Sequence, residues 1–90
     1  VTKPDLFHPP VKRSVEIAGH KTSISLEPLF WDLLLAAAAQ KSVPVNALVG
    51  RIDAERIRAA TPPGLASAIR CWLVAWREGL DQEEDPSPEA

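Results

Sequence analysis

Between Lys21 and Val49 the spacing of apolar residues changes from two to three-and-four. In Thr22-Ser23-Ile24-Ser25-Leu26, Thr22, Ile24 and Leu26 face one way, and Lys21, Ser23 and Ser25 the other. Side chains of a strand alternate with period two, so this run predicts a short strand with one apolar face. Arg13-Ser14-Val15-Glu16-Ile17 alternates in the same way and is separated from it by Ala18-Gly19-His20. A lone strand cannot satisfy its edges, so the central one requires a partner. Two arrangements meet that need: a hairpin turning at Gly19, or an extended arm over 13–17 with the central strand paired across a dimer axis. The pattern alone leaves both open.

From Glu27-Pro28 onward the spacing is helical. Pro28 is tolerated in a first turn, with Glu27 complementing the positive helix end. Phe30, Trp31, Leu34, Ala37 and Ala38 form an inward stripe, which Leu29, Leu33 and Leu35 widen. Ala36 to Ala39 favour helix and admit a close neighbouring backbone, within the chain or in a second copy. Gln40 to Val43 makes a turn. A second helix then starts at Pro44, with Val45, Leu48, Val49 and Ile52 as its stripe and Arg51, Glu55 and Arg58 on a polar face, and Thr61-Pro62-Pro63-Gly64 ends it. A third helix runs from about Leu65 to Gly79, where Leu65, Ile69, Trp72, Leu73 and Trp76 recur at three and four.

The organisation that follows is an N-terminal arm over 1–12, a domain over 13–77 and an acidic tail over 78–90. The arm holds three prolines and has no periodicity, with Leu6 and Phe7 as its only candidates for docking on the body. Ninety residues make one small domain whose modest core favours an oligomer. The net charge of −2 is unevenly spread: all ten Lys and Arg lie in 1–77 against six acids, and 78–90 carries six acids and no base. A mildly basic body is compatible with nucleic acid as a partner. Cys71 is single, which excludes an intrachain disulfide framework. No run approaches the roughly 20 apolar residues of a membrane span, so the expectation is a cytoplasmic protein without a membrane partner.

Catalytic constellations are not evident. His8 and His20 have no metal-ligand spacing with Cys71, no serine stands in a triad pattern, and the four glycines are scattered. The expectation is a protein that is not an enzyme and needs neither metal nor cofactor.

The ordered elements Arg13-Ser14-Val15, Ile17, Gly19-His20, Thr22-Ser23, Leu26-Glu27, Phe30-Trp31 and Leu34, followed by Leu65-Ala66-Ser67-Ala68-Ile69-Arg70, carry a resemblance. The chain resembles the ribbon-helix-helix family of bacterial DNA-binding proteins, over about residues 13–75. The resemblance implies a mainly α fold with a short β-ribbon: an intertwined homodimer, one ribbon strand per subunit, plus an additional C-terminal helix. It implies a dimer core of Ile24, Leu26, Phe30, Trp31, Leu34, Leu48, Val49 and Ile52. Lys21, Ser23 and Ser25 would meet bases in the major groove of double-stranded DNA. Val45 and Asn46, at the start of the second helix, and Arg13 would meet phosphate. Two departures stand out: Pro44 sits where many members carry a capping hydroxyl, and Ser23 and Ser25 are short readers. The function so implied is a sequence-specific transcriptional regulator, repressor or antitoxin-like, with itself as partner, higher oligomers on DNA and a protein partner at the third helix as further options. The alternative is a homodimeric interaction module of the same fold with little DNA affinity.

Overall fold

The computed structural model describes residues 6–80. Two strands, β1 (Val11–Ile17) and β2 (His20–Leu26), precede three helices, α1 (Pro28–Gln40), α2 (Val45–Arg56) and α3 (Leu65–Arg77). The partner of β2 is β1 of its own chain. The strands pair antiparallel over their whole length, from Val11 opposite Leu26 to Ile17 opposite His20. Within the chain the two strands form a hairpin, the first of the two arrangements. Its two-residue turn explains the choice: Ala18 (φ 52) and Gly19 (φ 83) both lie in the left-handed region. That conformation turns a hairpin without opposing the twist of its strands. β1 starts two residues earlier than the alternation predicts, because Val11 continues the inward row opposite Leu26.

α1 begins as expected at Pro28, with the Glu27 carbonyl accepting from the amides of Phe30 (2.8 Å) and Trp31 (3.0 Å). Its C-terminus closes with Ser42 donating to the Ala39 carbonyl (3.1 Å) and Val43 to that of Ala38 (3.0 Å). Ser42 takes φ 57 there, a position that glycine usually fills. The chain then bends by 100° into α2. Pro44 flanks that helix, which starts at Val45, and its carbonyl accepts from Ala47 (3.0 Å) and Leu48 (3.1 Å).

α2 stops at Arg56, five residues short of Thr61, so Arg58 lies beyond the helix whose polar face it was expected to share. The stop is stapled by Arg56, which donates through Nε to Asp53 Oδ1 (2.9 Å) and through Nη1 to the Pro63 carbonyl (3.0 Å). α3 follows the predicted periodicity. Ile69 and Leu73 are buried and Trp72 and Trp76 half-buried.

One core joins all five elements. Ile24, Leu26, Trp31, Leu34, Ala37, Ala38, Leu48, Val49, Ile52, Ile69 and Leu73 are buried in a single chain. The eight residues expected in a dimer core all take part in this packing. Of these, Ile24, Leu26, Trp31, Leu34, Leu48, Val49 and Ile52 are enclosed by their own chain, and Phe30 is half-buried at the rim. α3 packs on α1, α2 and β2 and supplies much of this apolar cover. Sealing a Leu or Ile side chain contributes about 1.5–3 kcal/mol, so this cover has a strong drive. Ala37 and Ala38 serve the same intrachain packing, whereas Ala36 and Ala39 face outward.

Leu6 and Phe7 are exposed. Most of the acidic tail and the first five residues of the arm fall outside the described residues. No single helix among the described residues is long and apolar enough to cross a membrane.

Candidate nucleic-acid interface

The register of the hairpin divides its side chains into two faces. Val11, Arg13, Val15 and Ile17 stand opposite Leu26, Ile24, Thr22 and His20, and this face meets the helices. Lys12, Ser14 and Glu16 stand opposite Ser25, Ser23 and Lys21 on the outer face. Of those six, Ser25 is half-buried and the others are exposed. Directly opposed residues present their side chains as pairs. The outer face thus reads as three rungs: Lys12 with Ser25, Ser14 with Ser23, and Glu16 with Lys21 nearest the turn. Two cations, one carboxylate and three hydroxyls leave it with a charge of +1.

The inner face fixes this ribbon on the body. Trp31, buried on α1, donates its indole N–H to the carbonyl of Val11 (2.9 Å) and ties the helix to the first residue of β1. The Arg13 guanidinium lies 5.1 Å from the centre of the Trp31 ring. That contact gives Arg13 and Trp31, far apart in sequence, a shared role in seating the hairpin. It also places Arg13 on the opposite face from Lys21, Ser23 and Ser25, so the structure does not bring it into one surface with them.

A second anchor sets α1 against α3. Arg70 donates through Nε to Glu27 Oε1 (3.0 Å) and through Nη2 to Glu27 Oε2 (3.4 Å), and its guanidinium lies 5.8 Å from the centre of the Phe30 ring. The hydrogen bond from Arg70, with further help from the backbone, holds the Glu27 carboxyl below the usual carboxylate range.

At the start of α2 the first-turn amides of Val45 and Asn46 have no acceptor among the described residues. Pro44 offers no hydroxyl, no side chain caps this end, and the first turn carries no acidic residue. Such an end presents free N–H groups and the positive pole of the helix to solvent. Lys21, Ser23 and Ser25 do share one surface, as expected. The residues missed from the sequence are Lys12, Ser14 and Glu16. Their signal was the hairpin itself: once a two-residue turn at Ala18-Gly19 is chosen, the register puts all three on that surface. Among the described residues no three His, Cys, Asp or Glu side chains cluster as a metal site would require.

The ribbon-helix-helix domain model matches residues 10–77, which covers β1 to the last residue of α3. The chain belongs to the ribbon-helix-helix domain family. Members of this family generally bind DNA as transcription regulators and form dimers, and the domain is typically non-enzymatic. No curated protein and no solved structure gives a match. In family terms, the mainly helical body and its two-stranded ribbon fit the domain, and α3 is the additional C-terminal helix.

Proposed function

We propose that the protein is a homodimeric, sequence-specific transcriptional regulator of the bacterial cytoplasm, repressor or antitoxin-like, that reads the major groove with the outer face of its hairpin. The observation that carries this reading is the face itself: six polar side chains in three rungs, on a ribbon whose other face is anchored in the core. A two-stranded ribbon fits the major groove, which is about 12 Å wide. Lys12 and Lys21 supply charge toward phosphates or guanine, and Ser14, Ser23 and Ser25 supply hydroxyls that donate or accept at base edges. Val45 and Asn46 would hold a backbone phosphate through their free amides.

The test is a salt-dependent titration of duplexes selected from a random pool against unselected duplexes. Selected DNA should bind at least about a hundredfold tighter. Lys21→Ala should lower affinity, with the slope of log affinity against log salt falling by about one per subunit if it meets phosphate. Ser23→Ala and Ser25→Ala should change sequence preference and leave that slope alone. Equal binding of selected and random DNA, untouched by all three substitutions, would instead favour the interaction module.

A further inference from the structure

We infer that Glu16 is a specificity-determining residue, and that Glu16 and Lys21 together read one G·C base pair, Lys21 donating to guanine and Glu16 accepting from the amino group of cytosine. The inference rests on the DNA-reading function proposed above and assigns a base preference to one rung of that face.

Three observations lead to it. First, Glu16 stands directly opposite Lys21 in the register, both are exposed, and both side chains point to the outer face. A two-residue hairpin closes with a hydrogen-bonded pair, here Ile17 and His20, so the next pair lies at a non-hydrogen-bonded site. Opposed residues come closest at such sites, with Cα atoms about 4.5 Å apart. Two side chains that start so near each other can address one base pair.

Second, the fold has little use for a glutamate here. Its neighbours Val15 and Ile17 provide the packing on the inner face, and glutamate is depleted in strands. Third, a carboxylate is the wrong charge for general affinity, because a groove lined by phosphates repels it. On a reading face it is tolerated where a base amino group satisfies it and a neighbouring cation offsets it. Lys21 is that cation. The other rungs lack this device, since Lys12 faces Ser25 and Ser14 faces Ser23.

The edges of a G·C pair match the rung. Guanine presents the acceptors O6 and N7, and cytosine presents the N4 amino donor. Adenine also offers an amino donor, through N6, but thymine then presents only one acceptor, O4, to Lys21. G·C is therefore the better partner of the two side chains together.

The experiment selects duplexes from a random pool with the full chain and with Glu16→Gln, then measures affinities for point variants of the preferred site. Wild-type protein should require G·C at one pair, with a loss of roughly 5- to 150-fold on its replacement. Glu16→Gln should abolish that requirement, moving the preference toward adenine, which glutamine engages through N6 and N7. It should also raise affinity for random DNA, because one negative charge leaves the face. An unchanged base preference at every position in Glu16→Gln, with Lys12→Ala and Lys21→Ala still weakening binding, would overturn this inference and leave the DNA-reading function standing. Indifference of binding to Lys12→Ala, Lys21→Ala and Glu16→Gln alike would overturn both. Thermal denaturation of Glu16→Gln completes the set: lost stability with an intact base preference would reduce Glu16 to a cross-strand partner of Lys21.

Discussion

The two faces of the hairpin share one backbone and differ in almost everything else. On the inner face Val15, Ile24 and Leu26 are buried, and Val11 and Arg13 meet Trp31. On the outer face Lys12, Ser14, Glu16, Lys21 and Ser23 touch little of the body and stand in solvent. Alternation lets consecutive residues answer to different demands: odd-numbered β1 residues and even-numbered β2 residues hold the fold, and their neighbours are free for recognition. Substitutions on the two faces should accordingly separate stability from binding.

Leu26→Ala should show the largest effect. It removes a side chain with 0% exposure from the centre of the core and should cost about 2–5 kcal/mol in denaturant unfolding. Its outer-face neighbour Ser25→Ala should stay within about 0.5 kcal/mol of wild type. Similar losses for both would break the distinction between the faces. Trp31→Phe should come next, at about 1–2 kcal/mol, because the hydrogen bond to the Val11 carbonyl is lost while most of the ring volume remains. The same variant should weaken DNA binding indirectly, by loosening the seat of β1.

Ala18→Asn tests the turn that sets which residues share a face. Ala18 adopts φ 52 without the side chain that makes this region tolerable, and asparagine should raise stability by up to about 1 kcal/mol with DNA preference unchanged. A loss of stability would mean that the hairpin turns differently. The smallest effect concerns pH and sharpens the comparison from outside the hairpin. Glu27 has a carboxyl held below its ordinary range by Arg70, so its contribution is present above the ordinary carboxylate pKa and fades as pH falls through the lowered value. Arg70→Gln should flatten that acid-side decline in a series of thermal melts, with no comparable change above the carboxylate range.

Much of this architecture was legible in the residues. The alternation of Ile24 and Leu26 with Ser23 and Ser25 assigned the faces of β2, and the stripes of α1, α2 and α3 emerged largely where three-and-four spacing put them. Two things were not legible, for different reasons. Alternation identifies an apolar face but not what covers it, and the packing of α3 on α1, α2 and β2 had no signal in the pattern. The second gap was the partner of β2. Ala18 hides the turn, because Asn or Asp before Gly19 would have announced a two-residue hairpin and alanine does not. With the turn ambiguous, Lys12, Ser14 and Glu16 had no face to belong to. The contact of Arg13 with Trp31 was hidden for the same reason: without the register nothing set one over the other.

The closure of the core within one chain has a consequence for how assembly responds to dilution. In an intertwined dimer, folding and association are one event, and the melting temperature falls as protein is diluted. Here Leu26, Leu34, Ile69 and Leu73 are fully buried within one chain. Melting should therefore be nearly independent of protein concentration, while occupancy of DNA by a dimer should still rise steeply with it.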